Sequence, residues 1–186
     1  MRYVMLVAVF LLAACSSPVA LNYYQLPAVD GRGQQHTESP VLYVAPVQVA
    51  SYLNGRGLVL QLSDVELNMA RQHLWAEPVA AQVQRQLRDI LSNTTPYATQ
   101  LNAQSGAVVL TVQLDRFHGT AQGNAVLSGR YQLSDKNHSE PFNISVALSA
   151  DGYPALVMAL AAGVQQLSQQ IAAELVEANK TKRSDG

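Results

Sequence analysis

Between Val108 and Leu148 the chain alternates apolar and polar residues three times over, and this periodicity constrains the fold more than any other stretch. Val108, Leu110, Val112 and Leu114 are interleaved with Val109, Thr111, Gln113 and Asp115. Ala125, Leu127, Gly129, Tyr131 and Leu133 are interleaved with Val126, Ser128, Arg130 and Gln132. Phe142, Ile144, Val146 and Leu148 are interleaved with Asn143, Ser145 and Ala147. Successive side chains of a strand point to opposite faces, so a period of two predicts three half-buried strands. The polar run Ser134-Asp135-Lys136-Asn137-His138 predicts the turn that joins the last two as a hairpin.

Upstream, Val41 to Val49 reads as an early interior strand, with Val41, Tyr43, Val47 and Val49 on one face. Pro46 has no N–H to give a ladder, so it marks an edge or a bulge there. Leu58 to Leu62 and Val65 to Met69 each alternate as half-buried strands, and Ser63-Asp64 turns the chain or bends it between them. Pro78 fits the first turn of a helix whose apolar stripe is Val79, Val83, Leu87, Ile90 and Leu91. Gln82, Arg85, Arg88 and Asp89 are expected mostly outward, and Ser92 to Pro96 ends this helix. Asp151-Gly152-Tyr153-Pro154 starts a second, longer helix with the stripe Leu156, Leu160, Val164, Leu167, Ile171 and Leu175. One-faced strands and amphipathic helices bury their apolar faces against each other. The fold class is therefore α+β, a mainly antiparallel sheet with two amphipathic helices packed on one side.

The N-terminus sets the compartment. Met1-Arg2 precedes the apolar run Tyr3 to Leu12, which is too short to span a bilayer and suits the core of a secretory signal peptide. The run closes on Leu12-Ala13-Ala14-Cys15, which resembles a lipobox, the site at which a cysteine thiol accepts a diacylglyceryl group before cleavage. Cys15 is thus the lipidation site, carrying palmitate-type acyl chains, and the mature protein is a lipid-anchored periplasmic one. Ser16, where Asp would favour retention at the inner membrane, points to the outer membrane. Cys15 is the only cysteine, so no intramolecular disulfide forms and stability rests on the core. The expected organisation is a signal peptide over 1–14, a lipidated N-terminus and tether over 15–40, one domain over 41–178, and a basic tail over 179–186.

A net charge of −1 with 13% charged residues gives no basic stripe, which excludes a nucleic-acid partner. The pattern also offers no catalytic residue, metal site or cofactor site. His36, His73, His118 and His138 lack ligand spacing, Asp64 and Glu66 lack a partner base, and Gly55-Arg56-Gly57 reads as a turn. Three aromatics stand out as candidate partner contacts. Tyr23 and Tyr24, inside Asn22-Tyr23-Tyr24-Gln25-Leu26-Pro27, form a short strand on the domain edge or touch a partner or the lipid headgroups. Trp75, the only tryptophan, either staples the start of the first helix or stands exposed as an anchor for a protein partner.

The order of these features resembles the PqiC (YmbA) family of ABC-type transport auxiliary lipoproteins. The resemblance runs from the lipobox through Asn22 to Pro27, Tyr52-Leu53 with Gly55 and Gly57, and Gln61-Leu62-Ser63-Asp64-Val65. It continues with Leu74-Trp75-Ala76-Glu77-Pro78, Phe117-His118-Gly119, Ser128-Gly129 and Asp151-Gly152-Tyr153. It implies a non-enzymatic outer-membrane lipoprotein working beside a PqiA-like inner-membrane protein and a PqiB-like MCE protein, whose channel carries lipids between membranes and supports envelope integrity. Such a lipoprotein acts as a docking collar and forms a homo-oligomer. The residues alone are equally compatible with a lipid-binding periplasmic carrier or an assembly lipoprotein for another outer-membrane complex. A carrier needs a deep apolar cavity, a collar a solid core.

Overall fold

β7 (Val108–Thr120) is the strand on which the sheet is assembled. The computed structural model describes residues 20–30 and 39–184; the expected signal peptide, Cys15, Ser16 and His36 lie outside the described residues. One edge of β7 pairs antiparallel with β8 (Asn124–Leu133), which pairs antiparallel with β9 (Glu140–Ala147). This is the meander that the alternation predicts. The other edge of β7 is divided among three short strands, all parallel to it. β2 (Val41–Val44) occupies Val108 to Leu110, β3 (Gln48–Val49) occupies Gln113 and Leu114, and β4 (Gly57–Ser63) occupies Gly119 and Thr120.

Beyond them, β5 (Glu66–Trp75) folds back antiparallel on β4, and β1 (Asn22–Tyr24) lies parallel to β5. On the same side of β7, beyond β2, β6 (Ala98–Gln100) is parallel to β2. The α+β class holds and the longest pairings are antiparallel, but the nine-stranded sheet as a whole is mixed. The reason lies in the segment 41–60. Pro46 and a single 3-10 turn (Ser51–Asn54) step the chain along the edge of β7 without reversing it. The Ala45 and Ala50 N–H groups keep donating to the Leu110 and Leu114 carbonyls at 2.9 and 3.0 Å across these steps. The expected face of the first strand is also inverted: Leu42 and Val44 are buried, while Val41 and Tyr43 are half-buried.

α1 (Val79–Thr94) and α2 (Tyr153–Ser184) cover one face of the sheet. Every residue of both expected stripes is buried, and all but Ile90 join one continuous core with Leu110, Val112, Leu114, Phe117, Leu127 and Leu133. The other face carries exposed Thr111, Gln113, Arg130 and Gln132. The segment 179–186 was expected to be a tail, but α2 continues through it to Ser184. A register shift between Leu114 and Arg116 lets Leu114 and Phe117 both face the core, so the alternation slips by one residue there.

The bulge explains Gly129. It pairs with Leu114, and a Cβ on it would lie 2.0 Å from the Gln113 carbonyl oxygen. A backbone atom of the central strand cannot move aside as a side-chain tip can. Gly129→Ala is expected to cost about 1–3 kcal/mol or more through forced strand separation, read as a lower urea midpoint with an unchanged slope. A midpoint equal to wild type would mean that the bulge relaxes freely.

Candidate functional site

The end of the domain that receives the N-terminal chain collects the features most relevant to function. β1 docks on β5 with Asn22 opposite His73 and Tyr24 opposite Trp75, and the Ala76 N–H donates to the Tyr24 carbonyl at 2.7 Å. Leu26 is buried in the core. Its N–H donates to Gln82 Oε1 at 2.8 Å, while Gln82 Nε2 donates to the Glu77 carbonyl at 2.9 Å. Gln86 donates to the Pro27 carbonyl. Residues 22–30 are therefore a strap bound to β5 and α1, not part of a free tether as expected for 15–40. Of the two expectations for Asn22 to Pro27, the edge strand is what the fold contains.

The three candidate aromatics separate. Tyr23 is 54% exposed, with the Arg56 guanidinium 5.5 Å from its ring centroid. The Tyr24 hydroxyl shares a hydrogen bond with His73 Nδ1 at 2.8 Å, and the His73 ring stacks on Tyr153 at 4.0 Å. Trp75 is 3% exposed, with its ring 6.0 Å from that of Phe117. It ends β5 and belongs to the core, so the reading of Trp75 as an exposed anchor is corrected. Its large apolar ring is already covered by the sheet, and no surface remains for a partner.

Two features escaped the sequence reading. Gln82 sits in the polar row of α1 but is fully buried, because the strap closes over it and uses both ends of its amide. Only the strap's docking makes that position interior. The second is the tip of the β4–β5 hairpin, expected to be half-buried strands. There Leu62, Val65, Leu67 and Met69 are 40, 96, 38 and 48% exposed. Neither helix covers these residues, and the alternation in Val65-Glu66-Leu67-Asn68-Met69 cannot tell a covered face from an uncovered one.

Among the described residues no three His, Asp or Glu side chains converge as metal ligands. His138 pairs with Glu140 on the surface at 2.7 Å. His118 is buried and donates from Nδ1 to the Gly119 carbonyl at 3.0 Å. The Tyr131 hydroxyl donates to Glu174, joining β8 to α2, and burial followed by the Glu174 bond pushes its pKa upward. A groove of about 620 Å³ crosses the sheet beside Pro46, lined by Gln48, Thr111, Gln113, Arg130 and Gln132 among others. Ala45, Val47 and Tyr131 make the rest of that lining partly apolar, but the groove is open, unlike an enclosed chamber for acyl chains. The helix–sheet interior is tight: a Cβ on Gly163 of α2 would lie 2.4 Å from Leu127 Cδ1.

Two outcomes follow from these side chains. Gln82→Leu leaves the buried Leu26 N–H without its acceptor, a loss of about 1–3 kcal/mol; amide exchange at Leu26 should accelerate more than exchange at Leu127. Equal exchange at both would show that Gln82 does not hold the strap. His118 has a pKa below the ordinary imidazole value, chiefly through burial, with the Arg116 charge adding to the effect and the Gly119 bond opposing it. The unfolded chain takes up this proton as pH falls through about 6.5 and the folded chain does not. The unfolded state then binds more protons, so stability is full above that pH and declines below it. Melting curves from about pH 8 to 5.5 should show this decline, and His118→Gln should flatten it.

Residues 24–172 match the family described as the ABC-type transport auxiliary lipoprotein component. The chain is 34% identical over 182 residues to the intermembrane transport lipoprotein PqiC of Escherichia coli (strain K12), covering 94% of this chain and 97% of that one. The Shigella flexneri protein of the same name matches to the same extent. A crystal structure of an uncharacterized protein superimposes with a TM-score of 0.76 at 33% identity, covering 84% of this chain and 99% of the other. A Xanthomonas campestris protein superimposes at 0.66 with 16% identity over 87% of this chain, a likeness of fold alone. The matched span takes in the strap from Tyr24, the rest of the sheet, α1 and α2 as far as Ala172, and the chain belongs to the ABC-type transport auxiliary lipoprotein family.

Proposed function

We propose that this chain is an outer-membrane lipoprotein of a Pqi-type intermembrane transport system, anchored through Cys15 on the periplasmic face. It serves there as the docking component for a PqiB-like MCE protein, works as a homo-oligomer, and supports envelope integrity. The observation that carries the proposal is the 34% identity to PqiC across nearly the full length of both chains. The tight interior favours the collar over the carrier, because the lipid passes through the partner's channel and the lipoprotein needs only surfaces. No helix among the described residues is long and apolar enough to cross a membrane, which fits attachment through an acylated cysteine.

Cys15→Ala tests the anchor. Cys15 lies upstream of the strap, so the variant should keep the wild-type melting temperature while leaving the outer-membrane fraction and failing to complement a deletion strain. The lipidated wild type, extracted from membranes in mild detergent, should bring an MCE protein with it. Full complementation by the unlipidated chain, or a strict monomer with no MCE protein bound, overturns the proposal.

A further inference from the structure

The apolar hairpin tip lies on the side from which the N-terminal chain enters the sheet. β1 runs parallel to β5 and enters the sheet at Asn22 opposite His73. The chain therefore reaches the sheet from the side on which the Ser63-Asp64-Val65-Glu66 turn lies. Cys15 is seven residues before Asn22, a reach of at most about 25 Å. Glu66 is seven residues before His73 along β5, about 23 Å. The opposite end of the domain, where β7 begins at Val108, is more than about 30 Å from Asn22 along and across the strands. The anchor can reach the tip and cannot reach that far end.

The tip is apolar on both strands and the turn between them. Gln61 faces Leu67 and Val59 faces Met69 across the hairpin, which puts Leu67 and Met69 on one face; Leu62 sits at the register shift of β4, and Val65 crowns the turn at 96% exposure. A lipid surface surrounds a wedge from all sides. Residues 57–70 contain Asp64 and Glu66 and no Lys or Arg, so the matching surface is zwitterionic, not anionic. We infer that the β4–β5 tip, led by Val65, seats in the zwitterionic lipid surface that holds the acyl chains of Cys15. This rests on the lipid anchoring proposed above and adds a second membrane contact that fixes the domain's orientation.

The test uses the full lipidated chain, in which the acylated Cys15 offers no free thiol. Val65→Cys and Asn137→Cys are labelled separately with an environment-sensitive fluorophore; Asn137 lies in the exposed turn at the opposite end. Each protein is reconstituted into phosphatidylethanolamine–phosphatidylcholine vesicles containing nitroxide-bearing lipids. Quenching at position 65 should exceed that at position 137 by about two-fold or more. Equal, weak quenching on protein that floats with the vesicles overturns the inference and leaves the anchor standing. Protein that fails to float removes the anchor and the inference together. Concentration-dependent self-quenching at position 65 in detergent, with no response to vesicles, would make a second copy the occupant and also overturn the lipid seat.

Discussion

The hydrogen-bonding groups along the edge of β7 opposite β8 are the constraint that organises this fold. Buried backbone N–H and C=O groups must be paired, and β7 is too long for any one of its neighbours on that edge. β2, β3 and β4 take successive portions of it, all in the same direction. β6 then extends the sheet beyond β2 on the same side of β7, and α1, which links β5 to β6, packs against β2, β3 and β6. The apolar stripe of α1 is therefore delivered to the same face that α2 later covers from the β8 side. The bulge at Leu114 to Arg116 lets one strand serve both halves, because the core residues on either side of it stay inward.

How much of this was legible in the sequence depended on how local each cause was. The meander from Val108 to Leu148 was readable because each strand declares its buried face every second residue and pairs with its sequence neighbour. Both helices were readable for the same reason, down to each stripe residue from Val79 to Leu91 and from Leu156 to Leu175. Parallel pairing was not readable, because the partners Val41 and Ala98, or Leu60 and Gly119, are brought together only by the completed chain. Gln82 shows the limit most directly. Its place in the polar row of α1 is a true statement about the helix, and its burial is a statement about a strap 56 residues away.

At the candidate site the sequence supplied the right segment with the wrong emphasis. Tyr23 and Tyr24 do mark the strap, but Tyr24 spends its hydroxyl on His73, and Trp75 is core. The exposed apolar surface belongs instead to Leu62, Val65, Leu67 and Met69, in a stretch whose alternation resembles that of any half-buried strand. Exposure at those residues arises because β4 and β5 run on past the reach of the two helices. No local pattern encodes where a helix stops covering a strand.

The strap also changes what an anchor can do. If the chain from Cys15 to Pro40 were a free tether, twenty-five residues would let the domain wander up to about 85 Å from the membrane, in any orientation. With β1 paired to β5 and Leu26 in the core, only seven residues separate the proposed acylation site at Cys15 from the sheet edge at Asn22. An acyl anchor there would confine the domain to a layer about 25 Å deep and tie it at one flank. A subunit that meets its partner's channel at the membrane depends on such confinement more than on a cavity. Under that proposal the hydrogen bonds holding the strap, Leu26 to Gln82 and Gln86 to Pro27, set the length of the anchor's tether as well as the fold.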